Sequence, residues 1–200
     1  MQAITIELFN FNELSDDAKN KAIEKFKNDT YYLDYDWWYS TCDDIKTMLE
    51  FIGFTDANIQ FSGFCSQGDG ASFTGNYEYA KGGVKKLIEY APNETVFIGA
   101  AKQLQELQRK YFYKIYGKVE RISNYYVHEN TIAFSLDYHS VNTLQSVSEI
   151  EKEITEIVRT ISQEIYSKLE NEYEYLMSDE AIVDYILGNE YKFTIDGEIY

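Results

Sequence analysis

The chain has 200 residues, is 44% apolar and 16% aromatic, and carries a formal net charge of −16 at pH 7 with a single proline. That length and apolar content suffice for a sizeable core, and the scarcity of proline and glycine excludes a long disordered linker. The charge disfavours binding nucleic acid through its phosphates, because an acidic surface repels a polyanion; it favours simple solubility, a basic protein partner or mimicry of nucleic acid.

No apolar run is long enough for a transmembrane helix, and Met1-Gln2-Ala3-Ile4-Thr5 has neither the basic nor the apolar segment of a signal peptide. A cytoplasmic protein without membrane association is expected. Residues 3–9 alternate, with Ile4, Ile6 and Leu8 on one face, and predict a first strand. Ser15 then reads as an N-cap, with Asp16 and Asp17 in the first turn, where carboxylates suit the helix dipole. Ala18, Ala22, Ile23 and Phe26 stripe that helix to Asn28.

A second helix is predicted from Trp37 to Gly53, with Cys42, Ile45, Met48, Leu49 and Ile52 at helical spacing. Trp37 and Trp38 cannot both face its core side, since neighbours on a helix diverge by about 100°. Residues 57–63 and 72–79 read as the arms of a hairpin. Helices over 84–90 and 94–111 follow, the second with Phe97, Ala101, Leu104, Leu107 and Tyr111 on one face. Residues 112–123 and 131–137 alternate again and predict a second hairpin of the same sheet, joined by an irregular edge at 124–130.

Ser148-Glu149-Ile150-Glu151 is a capping-box pattern. It opens the longest helix, to Tyr175, whose Ile150, Ile154, Ile157, Ile161, Ile165 and Leu169 step by three or four. Such a stripe serves either a helix packed across a sheet or a seam with a second copy of the chain, a homodimer. Ser178 caps a short helix that Gly188 stops, 191–195 is a last strand, and Asp196-Gly197 is a turn.

This order predicts an α+β fold: a mainly antiparallel sheet of two hairpins plus an N-terminal strand, packed by helix pairs, with a long acidic amphipathic helix near the C-terminus. Residues 145–200 hold 14 Asp and Glu against 4 Lys and Arg. Charge therefore divides the chain into a core over 1–144 and an acidic helical extension over 145–200, packed on the core or projecting from it.

The least ordinary stretch is Phe61 to Gly75, FSGFCSQGDGASFTG. Its glycines permit φ > 0 and close backbone approach, while Ser66, Gln67 and Asp69 offer a hydroxyl, an amide and a carboxylate. With Trp37, Trp38, Phe64 and Tyr77 as aromatic walls, it would hold a small, nucleotide-like ligand. Equally, Asp69 would close an Asx turn on the neighbouring amides. The run is neither a P-loop nor a dinucleotide fingerprint. Cys42 and Cys65 read as two reduced thiols, with a disulfide left open. His128 and His139 are not at metal-ligand spacing, so zinc would need Cys42, Cys65 and both histidines gathered by folding alone. Ser66 or Cys65 beside a histidine lacks a nucleophile elbow. No catalytic residue, metal or cofactor is assigned.

The same stretch, followed by Tyr77, Tyr79 and Lys81-Gly82-Gly83-Val84, resembles a segment that recurs in a family of uncharacterised, mainly bacteriophage and prophage proteins. The likeness takes in Trp37-Trp38, Asp43-Asp44 and the stretch from Leu104 through Leu107-Gln108-Arg109 to Tyr113, and spans roughly Leu14 to Asp137. Some members are labelled antitoxin of a toxin–antitoxin system. The resemblance implies a phage protein that counters a bacterial defence, an antitoxin-like or host-defence antagonist acting in the bacterial cytoplasm.

Two functions follow as expectations. In the first, the acidic helix, through Glu149, Glu153, Glu156, Glu164, Glu170, Glu172 and Glu174, binds and inhibits a host protein with a basic surface, with no direct nucleic-acid contact. In the second, Ser66, Gln67, Asp69, Trp37, Trp38 and Tyr77 form a small-ligand site.

Overall fold

The structure, a computed structural model, describes residues 6–28, 32–33, 36–123, 125–137 and 144–200, with side chains in the last stretch from residue 147. The chain packs as two compact units, Tyr39–Glu170 and Met1–Trp38 with Asn171–Tyr200. This partition follows packing, whereas the division at 144/145 followed charge.

In the Tyr39–Glu170 unit the helices form where apolar residues recur at three and four. They are α2 (Tyr39–Phe51), α3 (Gly83–Tyr90), α4 (Thr95–Lys110) and α5 (Leu144–Leu176), whose last turns belong to the other unit. Strands β2 (Phe54–Phe61), β3 (Ala71–Tyr77), β4 (Gly117–Arg121) and β5 (Ile132–Leu136) make one antiparallel sheet in the order β2-β3-β4-β5. The class is thus α+β, with two hairpins joined through β3 and β4, and α3 and α4 inserted between them.

Register makes the sheet two-faced. Thr55, Asn76, Lys118 and Ser135 align across all four strands as a polar row. Phe54, Tyr77 and Leu136 align on the other face with Gly117 and are buried. There Phe54 meets Phe73 and Tyr77 at ring distances of 5.3 and 4.8 Å. Leu49, Phe97, Leu104, Ile154 and Ile161 from the helices are buried as well.

Both sheet edges are blunted. At β2 the register shifts between Thr55 and Asn58, and the carboxylate of Asp56 (φ 53°) accepts from the Asn76 amide at 3.0 Å. At β5 the free N–H groups of Phe134 and Leu136 donate to Thr155 Oγ1 and Glu151 Oε1 of α5, each at 3.0 Å. One turn of helix thereby takes the place of a fifth strand. The stripe from Ile150 to Leu169 is at most 5% exposed, so it serves the chain's own core.

One predicted strand is shorter than its alternation suggested. Residues 112–116 alternate as 117–121 do, but Phe112 and Tyr113 have φ of 55° and 61°. Those angles reverse the chain after α4, and the ladder begins at Gly117.

The Met1–Trp38 and Asn171–Tyr200 unit holds α1 (Asp16–Asn28), α6 (Asp179–Gly188) and a two-stranded ladder of β1 (Phe9–Asn10) with β6 (Lys192–Phe193). The N-terminal strand therefore pairs with the last strand and not with the hairpins. Of the predicted strand over 3–9, residues 3–5 lie outside the described residues, 6–8 are not strand, and Phe9 begins β1. Ser15 and Ser178 cap their helices as expected, accepting from Ala18 and Ala181 N–H, each at 3.3 Å. Phe11, Leu14, Ala22, Phe26, Ile182, Ile186 and Phe193 form the core.

A turn at Thr194–Gly197 carries Glu198 onto α1, where it pairs with Lys21 at 2.8 Å and with Lys25. Hydrogen bonds from Lys21 and Lys25 lower the Glu198 carboxyl from 4.5 to about 2. A depressed carboxylate pKa stabilises the fold above its unfolded value, and that stability is lost as pH falls toward the folded value. Glu198→Gln is therefore expected to lower the melting temperature at pH 6, with the difference from wild type shrinking from pH 4.5 downward and vanishing near 2. A difference independent of pH would contradict this assignment.

Candidate functional site

The loop between β2 and β3 is closed by its own groups. Asp69 Oδ2 accepts from Ser66 N–H at 2.7 Å and Cys65 N–H at 3.0 Å, and the Asp69 N–H returns to the Ser66 carbonyl at 3.1 Å. Ser62 Oγ accepts from Gly70 N–H at 3.0 Å and lies 3.3 Å from the Val127 carbonyl. A Cβ on Gly70 would stand 2.5 Å from that of His128, so only glycine lets the loop pass this segment. Phe64 packs on Phe61 and on Tyr166 of α5, whose hydroxyl donates to the Gly63 carbonyl at 3.3 Å. Burial raises the Tyr166 pKa, with smaller contributions from Glu170, Asp69 and Cys65.

The Asp69 carboxylate thus closes the loop on its own backbone, but it does so by reaching back three and four residues to Ser66 and Cys65, not two residues on as the expected Asx turn would. Ser66 and Gln67 are exposed beside it. Tyr77 is not at this loop: it ends β3, about 20 Å along the strand from Ala71, and is 3% exposed. Gln108 Nε2 lies 3.4 Å from its hydroxyl, and burial pushes that hydroxyl up to about 12. Trp37 and Trp38 belong to the other unit, where both are half-buried in the turn before α2, and Trp37 lies 5.7 Å from the Tyr173 ring.

Cys42 is buried in α2, and Cys65 is exposed in the loop; both are free thiols. Burial pushes the Cys42 thiol up to about 11. His128 Nδ1 accepts from Asn130 N–H at 3.1 Å, while His139 lies outside the described residues. Among the described residues no group of three or more His, Cys, Asp or Glu is placed to hold a metal. No helix among them is long and apolar enough to cross a membrane.

The acidic residues of α5 divide by exposure. Glu149, Glu153 and Glu156 are exposed, and with Lys152, Thr160 and Gln103 of α4 they border a groove of about 410 Å³. Glu156 is paired with Arg159 at 2.9 Å, whereas Glu149 and Glu153 have no ion pair among the described residues. Glu164 and Glu170 are half-buried. Glu172 (half-buried) and Glu174 (exposed) fall in the other unit.

In that unit Trp37 and Glu172, predicted for two different sites, line one cavity of about 380 Å³. Tyr32, Tyr175, Asp184 and Tyr185 complete its polar and aromatic lining and were missed in the sequence. Their separation along the chain gave no local signal, although Tyr185 and Tyr32 sit in a tyrosine-rich background that composition alone exposes.

A family described as a domain of unknown function, DUF8835, matches residues 37–179. The match runs from Trp37 through the loop, the whole sheet and α5, and so takes in part of the acidic tail that lay beyond the resemblance read from the sequence. No curated protein and no solved structure matches the chain.

Proposed function

We propose that this chain, which belongs to the DUF8835 family, is a non-catalytic acidic protein that binds a basic surface of another protein through one face of α5. The observation that carries the reading is the groove edged by Glu149, Glu153 and Glu156. At about 100° per residue these three fall within an arc of roughly 60°, so they form one acidic strip, flanked by Lys152 and by Arg159, which pairs with Glu156. Their stripe-side neighbours Ile150, Ile154 and Ile157 are buried, which fixes the helix and turns the carboxylates outward. A basic partner gains from such a strip mainly in steering and register.

The likeness of residues 61–75 to phage and prophage proteins makes a bacterial defence or toxin protein the partner class. The surface engaged on it would be one that otherwise takes nucleic acid, with the carboxylates standing in for phosphates. A small-ligand site at Ser66, Gln67 and Asp69 has less support, because Asp69 Oδ2 is already engaged by two backbone amides.

The test is affinity capture from bacterial lysate with wild type and with a Glu149→Lys, Glu153→Lys, Glu156→Lys variant, folding being checked by circular dichroism. Wild type is expected to retain one stoichiometric protein that high salt releases, and the variant to bind it at least about tenfold more weakly. Equal capture by the two proteins would refute the reading.

A further inference from the structure

The cavity in the unit of α1 and α6 belongs to neither candidate function. Four aromatic rings, Tyr32, Trp37, Tyr175 and Tyr185, and two carboxylates, Glu172 and Asp184, line its 380 Å³. We infer that it is a site for an organic cation, an ammonium or guanidinium group carried on an apolar stem.

Three of the rings, Tyr32, Trp37 and Tyr185, are held before any ligand arrives. The Tyr32 hydroxyl donates to the Leu176 carbonyl at 2.6 Å, and its ring stands edge-on to Tyr185 at 5.0 Å. Phe26 packs edge-on against both at 6.0 Å, and Trp37 leans on Tyr173. Fixed rings lower the ordering cost of binding, and their faces attract a cation through the ring quadrupole.

The carboxylates select the sign of the ligand. Among the described residues no lysine or arginine lines the cavity, and neither Glu172 nor Asp184 has an ion pair. Three of the four lysines of α1 are engaged elsewhere, Lys21 and Lys25 with Glu198 and Lys27 with Glu24 and Asp179, and the fourth, Lys19, does not line the cavity. An anion would meet two like charges. A neutral apolar ligand would strip water from two carboxylates without replacing it. A cation on an apolar stem satisfies both the rings and the charges, and the volume falls in the usual range for small-molecule sites. The site shares no exposed groove residue with the face of α5 proposed above, so either can fail without the other.

Isothermal titration of the full chain tests this with choline, spermidine and an acetylated Arg-Lys-Arg peptide at near-physiological salt. At least one of them is expected to bind saturably at one site. Glu172→Gln with Asp184→Asn should weaken it about tenfold or more, and Tyr175→Leu, which alters an exposed ring, should weaken it several-fold. A charge-matched control, Glu50→Gln with Glu106→Gln on exposed helix positions, should bind as wild type does. Binding of the peptide would place the cation on a protein partner; binding of choline or spermidine alone would make it a free small molecule. Absence of saturable binding up to about 10 mM, or equal weakening in the control pair, would overturn the assignment.

Discussion

Replacing Gln108 by leucine is expected to destabilise the Tyr39–Glu170 unit by about 2–5 kcal/mol. Gln108 is fully buried in α4, and its side chain behaves as a piece of strand. Its Oε1 accepts from Ile115 N–H at 3.2 Å, and its Nε2 donates to the Ile115 carbonyl at 2.7 Å. Its own backbone carbonyl accepts from Tyr113 N–H at 2.7 Å. Gln108 thus ties down both ends of the reversal at Phe112 and Tyr113, where two residues with a Cβ hold positive φ. Such conformations cost about 1–3 kcal/mol each and persist only where the surroundings hold them.

Leucine nearly preserves the volume, so packing is kept and the two Ile115 groups are left buried without partners. For a domain of this size the melting temperature should fall by roughly 5–20 °C. Amide exchange at Ile115 should accelerate more than exchange in the middle of α4. An unchanged midpoint together with unchanged Ile115 protection would rule out this role for the side chain.

Gly53→Ala is expected to be at least as damaging, above about 3 kcal/mol. Gly53 links α2 to β2 with φ of 103°, which side chains rarely adopt, and an added Cβ would stand 2.1 Å from the Glu78 carbonyl oxygen. That oxygen is backbone, so no rotamer change relieves the clash. The Gly53 N–H and carbonyl are also both engaged, with Glu50 and Glu78 at 3.1 and 3.0 Å. Relief would separate the start of β2 from the end of β3, where Phe54 and Tyr77 pair. Gly99→Ala in α4 is the control. A Cβ there meets nothing within 4 Å, so the change should be neutral or stabilising by up to about 1 kcal/mol. Denaturant midpoints of the two variants decide the point: similar small changes in both would contradict the steric argument.

The helices were legible because their signals are local. The stripe of α5, the stripe of α1 and the caps at Ser15 and Ser178 are set by spacing within a few residues, and the structure follows them, whereas the capping-box pattern at Ser148 does not open a helix, because α5 begins one turn earlier at Leu144. The start of β4 was not legible, because residues 112–116 alternate as a strand does and only their φ angles exclude it. The loop at Ser66–Gly70 was legible as polar and turn-forming. Whether Asp69 faced a ligand or its own backbone depended on where its hydrogen bonds go, and they go to Cys65 and Ser66.

By itself the sequence determined the α+β class, the order of the helices and hairpins, and the concentration of acidic residues after Gln145. Periodicity and charge are properties of short stretches, and no distant residue can alter them. Tertiary structure alone decided which glutamates face outward, that Glu151 and Thr155 finish the sheet at β5, and that Trp37 meets Glu172 at a common cavity. Each of these depends on the register between elements far apart in the chain, and that register is set by how their apolar faces fit together, which no single stretch records.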